Sequence, residues 1–322
     1  MAAETIRLSP ALPAIQPLGL GTWQWGDRLV WGYGRHYHDP DLQATFRAAV
    51  DRGISLFDTA ELYGWGRSER LLGQFNRERG RPAVIATKFM PYPWRLDRGA
   101  LRRALQGSLR RLHRDRVELY QLHWPVPPRS LETWADALAE VLHEGLVGAV
   151  GVSNCDARQV ERAVHALAAR GYELATHQVE YSLLQRRIER NGVLESCRRL
   201  GVTVIAHSPL GMGLLAGRAS AAHPPGGWRG QRYRRLGPAR VDALVSLLGE
   251  IGAAHDGATP AQVALNWLIC QGVVPIPGAH SAEQARQNAG ALGWRLTADE
   301  LARLDQASAS LSQSHPDRCR SS

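Results

Sequence analysis

Short apolar runs and amphipathic stretches alternate along nearly the whole chain. Eight runs read as strands, from their β-branched and aromatic content and the turn residues that bound them: 18–23, 54–60, 83–89, 117–123, 148–154, 176–181, 202–208 and 273–278. Between them apolar positions recur with helical spacing near 41–52, 67–79, 98–113, 131–144, 156–170, 189–200, 238–255 and 260–271. Two more helices are predicted near 281–291 and 297–309. Asp156 and the pair Thr259-Pro260 supply helix start signals.

Strict β–α alternation implies parallel strands joined by right-handed crossovers. An open doubly wound sheet and a closed barrel both satisfy it. The open dinucleotide-binding sheet expects G-x-G-x-x-G between its first strand and a helix. Here the first strand runs into G-L-G-T-W-Q-W-G and then a loop. Eight repeats within 322 residues fit the closed form. The sequence therefore predicts an α/β protein, a (β/α)8 TIM barrel that forms a single domain over 1–322. A short hairpin over 5–16 would close its floor, extra helices would follow the last strands, and 311–322 would be a flexible tail.

Composition narrows the class. Net charge is +9, which suits an anionic ligand, a nucleic acid or an anionic membrane surface. Most arginines, however, lie at helical spacing beside apolar residues, as in 100–116, the pattern of a solvated helix face. The exception is the dense WRGQRYRR (228–235). No apolar run approaches the roughly 20 residues of a membrane helix. The N-terminus has no basic stretch followed by an apolar core. Cys155, Cys197, Cys270 and Cys319 are scattered, without metal-ligand spacing. The expectation is a cytoplasmic protein with reduced thiols, a monomer or weak oligomer, with no metal and no nucleic-acid or membrane partner.

One residue type stands out. Of 39 lysines and arginines a single one, Lys88, is lysine. Arginine replaces lysine in most surface roles. It cannot replace an ammonium that must fit beside a second group and tune it. GC-rich coding would also leave one lysine by chance, so position has to decide. Lys88 lies near the end of the third strand, Asp58 near the end of the second and His123 near the end of the fourth. Ser153-Asn154 end the fifth, Gln178 lies on the sixth and His207-Ser208 end the seventh. In a barrel these strand ends converge on one mouth, where active sites sit. The competing reading is a buried ion-pair network that fills the barrel's top layer.

The segments LGLGTWQWG, FDTAELYG, ATKF, LHWP, GVSN, HQVEYS, SPLGMGLLAGR and PIPGAHSAEQARQNAGAL, in this order over about 5–305, resemble those of the aldo-keto reductase superfamily. GTWQWGDRLVWGYG and GALGWRLT look most like the plant and cyanobacterial members related to pyridoxal reductase. The resemblance implies NADPH-dependent reduction of an aldehyde or ketone and a catalytic tetrad of Asp58, Tyr63, Lys88 and His123. The chemistry is coherent. A nicotinamide brings hydride, so the protein must bring orientation and a proton. A phenol of pKa near 10 is a poor acid–base at neutral pH unless its anion is stabilised. Lys88 would do that for Tyr63, Asp58 would hold Lys88 charged, and His123 would meet the substrate oxygen. Singly, each has a plainer role: Tyr63 as a loop aromatic on Trp65, Asp58 as a loop cap, His123 as a core histidine.

The resemblance also implies NADP(H), with NAD(H) as the alternative, stretched across the mouth. Gly21, Thr22, Trp23 and Asp58 would face it. Ser153, Asn154 and Gln178 would bond the carboxamide, an amide that needs donors and acceptors. His207 stands where relatives stack a tyrosine on the nicotinamide. Ser208, Leu210, Gly213 and Arg218 would meet the pyrophosphate. Gly278, His280, Gln284, Gln287 and Asn288 would hold the adenosine end. Relatives often carry Lys or Arg where His280 stands, and Glu where Gln287 stands. Arg286 or an arginine of 232–235 would then supply charge for a 2′-phosphate. The stretch 228–235 reads as a lid over the pyrophosphate, or as a solvated loop.

Trp23, Trp25, Trp31, Tyr33, Tyr63, Trp65, Trp94 and Trp124 would line the mouth, which suits flat carbonyl substrates. Two rivals remain. One is a cofactor-sensing regulatory module that binds NADP(H) with little turnover. The other is an isomerase or aldolase that uses Lys88 as a Schiff-base nucleophile.

Overall fold

The computed structural model describes residues 4–79, 83–217, 220, 223–309 and 311. Eight strands form one parallel sheet in sequence order: β1 (Gly19–Gly21), β2 (Leu56–Asp58), β3 (Val84–Phe89), β4 (Val117–Leu122), β5 (Val147–Ser153), β6 (Leu174–Glu180), β7 (Thr203–His207) and β8 (Val274–Pro275). Gly21 pairs in parallel with Gly278, and its N–H donates to the Pro277 carbonyl at 3.0 Å. That contact brings the first strand round to the last and makes a (β/α)8 barrel.

Among the described residues twelve helices accompany the strands: α1 (Asp39–Asp51), α2 (Arg67–Arg79), α3 (Gly99–Leu112), α4 (Leu131–His143), α5 (Ala157–Ala168), α6 (Arg187–Arg190), α7 (Val193–Arg199), α8 (Gly227–Leu236), α9 (Pro238–Ala253), α10 (Pro260–Cys270), α11 (Ala282–Ala289) and α12 (Ala298–Ala309). Asp156 and Thr259 cap α5 and α10, each accepting from the backbone N–H three residues on. The single helix expected over 189–200 is two, α6 and α7, separated at Gly192 with φ of 79°.

Helix α8 was not foreseen. Its Gly/Pro-rich start and four arginines hide a thin apolar stripe, Gly230, Tyr233 and Leu236, at a spacing of three. Leu311, expected to begin a tail, is buried in the core; 312–322 lie outside the described residues.

Alternation along the strands sorts the side chains. Leu56, Val84, Ala86, Leu119, Ala149, Ile205, Val274 and Ile276 fill the barrel interior, and Leu8, Leu12 and Ile15 from the N-terminal segment pack beneath them. That segment is a hairpin by its Ile6–Ile15 antiparallel bridge, as expected. Phe57, Ile85, Tyr120, Val150 and Val204 face the helices. The same period of two carries Asp58, Lys88, Gln121, His123 and His207 to the interior at the upper ends. A register shift beside Val150 and Gly151 leaves Ala175 as an extra residue on β6, after which Ser153 pairs with Gln178. Among the described residues no helix is long and apolar enough to cross a membrane.

Candidate active site

Lys88 is fully buried. Its ammonium donates to Asp58 Oδ1 at 2.5 Å, to the Thr59 carbonyl at 2.8 Å and to the Tyr63 hydroxyl at 3.3 Å. Three protons meet three acceptors, so none is left unused. Burial works against the charge, but the Asp58 carboxylate and the Tyr63 phenol outweigh it and hold the Lys88 pKa above the ordinary lysine value. This is a poor setting for a Schiff-base amine, which must be deprotonated and reachable.

Asp58 is itself fixed. Its second oxygen accepts from Gln178 Nε2 at 2.8 Å and from Gln121 Nε2 at 3.4 Å. Gln121 in turn accepts from Thr176 Oγ1 at 3.3 Å. Gln121 was missed in the sequence. It sits beside Lys88 in the β3–β4 ladder, two positions before His123, so alternation alone points it inward.

Tyr63 opens a 3-10 turn after β2. Burial pushes its pKa up, Lys88 draws it back, and the net shift is upward. The turn is braced by Glu61, which accepts from the Met90 N–H at 2.8 Å and from Arg95 at 2.5 and 3.0 Å. Ser68, at the start of α2, contacts the Thr22 and Thr59 hydroxyls at 2.7 and 2.9 Å and ties the ends of β1 and β2 together.

His123 stands edge-on to Tyr63, ring centroids 5.8 Å apart. Burial, then the nearby Lys88 and His207, lower its pKa well below the usual value, so the imidazole is neutral. Its Nδ1 is buried without a hydrogen-bond partner among the described residues. Asn154, with φ of 59°, donates to the His123 carbonyl at 3.1 Å and to Ser153 Oγ at 2.9 Å; its Oδ1 lies 3.3 Å from His207 Nε2. Burial lowers the His207 pKa as well.

Asp58, Tyr63, His123, Ser153, Asn154, Gln178 and His207 line the floor of a cavity of about 1530 Å³, with Lys88 and Gln121 buried behind them. Gly21, Thr22 and Trp23 after β1, Ser208, Leu210 and Gly213 after β7, and Gly278, His280, Gln284, Gln287 and Asn288 after β8 line it as well. The structure thus brings the sequence-predicted residues to one site, with one exception: Arg218 lies outside the described residues. After β8, His280 stacks on Tyr37, centroids 4.5 Å apart, and its backbone N–H donates to Gln284 Oε1 at 2.9 Å. Trp25 Nε1 donates to the Ala279 carbonyl at 2.9 Å and joins the loop after β1 to this segment.

Beside the 208–217 loop, α8 contributes a residue that the sequence did not single out. A Cβ on Gly213 would stand 2.9 Å from the Arg229 guanidinium. Arg229 lines the cavity, its Nε is buried without a partner among the described residues, and burial lowers its pKa. A half-buried cation of this kind calls for an anion. Of the arginines expected to serve a 2′-phosphate, Arg232 is paired with Glu180 at 2.6 Å and Arg286 with Glu283 at 3.7 Å.

The aromatic wall is smaller than expected. Trp23, Trp31, Tyr63, Trp65 and Trp124 line the cavity. Trp25 is core, packed on Phe57 and Phe75. Tyr33 is buried and donates to Asp39. Trp94 lies outside the cavity, stacked on Tyr92.

The profile of the aldo/keto reductase family matches residues 17–309. The chloroplastic pyridoxal reductase of Arabidopsis thaliana is 42% identical over 94% of this chain and 86% of its own. An aldo-keto reductase of Klebsiella pneumoniae, solved in complex with NADPH, superposes with a TM-score of 0.75 at 31% identity, covering 99% of this chain and 98% of its own. A glycerol dehydrogenase of Gluconobacter oxydans gives a TM-score of 0.84 at 26% identity over 100% of both chains. With that family match resting on a closed barrel and a lysine–aspartate–tyrosine cluster at its mouth, the chain belongs to the aldo/keto reductase family of NAD(P)H-dependent oxidoreductases.

Proposed function

We propose that this protein reduces an aldehyde or ketone to an alcohol with NADP(H), and that Tyr63 delivers the proton. The observation that carries the reading is the 3.3 Å contact between the Lys88 ammonium and the Tyr63 hydroxyl at the floor of the cavity. The bound nicotinamide supplies the hydride. As the carbonyl oxygen gains charge, Tyr63 hands it a proton and the resulting phenolate is stabilised by Lys88. Asp58 keeps Lys88 charged, and Gln121 and Gln178 keep Asp58 in place. Neutral His123 donates a hydrogen bond to the same oxygen. A tyrosine pKa held up by burial keeps the phenol protonated at neutral pH, which suits the reductive direction.

The residues present fit the cofactor. Ser153, Asn154 and the carbonyl oxygen of Gln178 offer donors and acceptors to a carboxamide, with His207 beside them. The backbone of 208–213 and Arg229, which lines the cavity beside it, suit a pyrophosphate. Gln284, Gln287 and Asn288 suit the adenosine end. NADP(H) is preferred on the strength of the NADPH-bound relative; His280 leaves NAD(H) open as a second cofactor. A flat heteroaromatic aldehyde such as pyridoxal is the substrate class favoured by Trp23 and Trp31 beside Tyr63 and by the pyridoxal reductase relative. Free thiols at Cys155, Cys197 and Cys270 suit a cytoplasmic setting.

The test is NADPH oxidation over a panel of aldehydes, with Tyr63→Phe alongside and NADPH binding measured on both proteins. Turnover lost in the variant with binding kept is the expected result. Tight NADPH binding with no turnover of any carbonyl would favour the cofactor-sensing module instead.

A further inference from the structure

Leu29 and Trp65 are the two most exposed large apolar side chains among the described residues, at 95% and 82%; Trp124 is at 44%. All three line the cavity that holds Tyr63 and His123, on the loops after β1, β2 and β4. Scattered exposed apolar residues need no explanation, but three on one rim above a reactive floor do. Trp94 is no counterexample, because its ring already covers Tyr92. Trp65 and Trp124 make no ring contact among the described residues.

Trp65 is also held in an unusual way. Its backbone has φ of 55° and ψ of 47°, the left-handed region, which a bulky L residue enters only at a cost. Its neighbours Gly64 and Gly66 also have positive φ. A side chain on Gly64 would put a Cβ 2.8 Å from the Gly26 carbonyl oxygen. The turn that carries Trp65 is therefore pressed against the loop that carries Leu29. The backbone is locked and the indole is uncovered. In the same cavity Trp23 packs edge-on to Trp31 at 5.6 Å and lies 6.4 Å from Tyr63, an inner aromatic wall beside the phenol.

We propose that Leu29, Trp65 and Trp124 form an outer apolar subsite that takes the distal ring of an extended, flat aryl aldehyde whose carbonyl lies at Tyr63. The inference rests on the reductive reading above and deepens it. The inner wall takes the ring that bears the aldehyde, and the rim covers what projects beyond it. The occupant is a part of the substrate because the rim is continuous with the catalytic cavity.

The experiment compares benzaldehyde with biphenyl-4-carbaldehyde in wild type, Trp65→Ala, Trp65→Phe and Trp65→Gly. In parallel, benzyl alcohol and 4-phenylbenzyl alcohol are titrated into the protein with NADP+. Wild type is expected to favour the two-ring compound about tenfold in KM and in binding. Trp65→Ala loses most of that preference through KM with kcat kept, leaves the one-ring compound unchanged, and keeps NADPH affinity. Trp65→Phe retains most of the preference. Trp65→Gly relieves the backbone, so it melts higher and still loses the preference, which a purely structural role would not produce. Equal affinity for one and two rings in wild type, or equal losses on both in Trp65→Ala, overturns the subsite. If no carbonyl is turned over but the two-ring alcohol still binds through Trp65, the reductive reading fails and the subsite stands.

Discussion

The Lys88 ammonium lies 3.3 Å from the Tyr63 hydroxyl and 4.9 Å from the centroid of the same ring, so it meets both the oxygen and the π-face of the phenol. Two positions far apart in sequence thus form one acid. Tyr63→Phe is expected to lower kcat by roughly 10²–10⁴-fold, the usual weight of general acid catalysis, with NADPH affinity within about threefold of wild type. Since Tyr63 is held above the ordinary tyrosine value of 10.0, reduction should stay level through neutral pH and fall only on the alkaline side of that value. A kcat–pH profile checks it.

Lys88→Met removes the charge and keeps the length. It leaves the Asp58 carboxylate buried with only amide donors. Activity should vanish, and stability should fall by about 3–5 kcal/mol, the cost of breaking a buried pair from one side. Urea titration against wild type reads the second effect. The double variant Asp58→Asn, Lys88→Met should recover part of the stability and none of the activity.

Arg229 faces the left-handed turn at Gly213, its Nε buried without a partner among the described residues. Arg229→Ala is expected to weaken NADPH binding by about 1.5–3 kcal/mol, the worth of a charge-assisted contact, and to flatten the salt dependence of Kd. A cofactor titration at two ionic strengths decides it.

His280→Arg restores a permanent charge beside Tyr37. It should raise the NADPH/NADH ratio of kcat/KM by about tenfold, the effect of one added charge-assisted bond. An unchanged ratio would place the 2′-phosphate contact elsewhere.

His177 is fully buried between Cys155, whose N–H donates to Nε2 at 3.1 Å, and Cys197. Burial lowers its pKa from 6.5 to about 3. The folded form therefore binds a proton later than the unfolded form as pH falls. Stability should be full above about 6.5 and drop by about 1.4 kcal/mol per pH unit below it, until the folded pKa is reached. His123 adds to the same trend. His177→Asn should be weaker at pH 7.5 yet show a shallower decline, measured by denaturant unfolding at several pH values.

The fold was legible because β–α alternation is a long-range regularity, and the strand ends carried their polar residues in plain sight. Residues that serve other residues were harder to see. Gln121 looks like one more polar position on a strand until Lys88 is placed beside it. Ser68 joins two strand ends through hydroxyls that no spacing marks. Trp25 and Tyr33 read as mouth aromatics because a loop sequence does not say which face of the loop turns inward. Helix α8 was hidden by arginines and a stripe of three positions; 228–235 read as a lid over the pyrophosphate, with nothing to tell Arg229 from its neighbours.

The seam of the barrel sets an order of events during synthesis. Gly21 meets Gly278, and Trp25 meets Ala279, across a separation of more than 250 residues. Closing so long a loop is entropically costly and comes late. Until residue 279 has left the ribosome, the loop after β1 has its contacts with β2 and α2 but lacks the anchor between Trp25 and Ala279. A nascent chain can hold its lysine beside its aspartate well before it has a vestibule. The mouth is complete only once the last strand has joined the first.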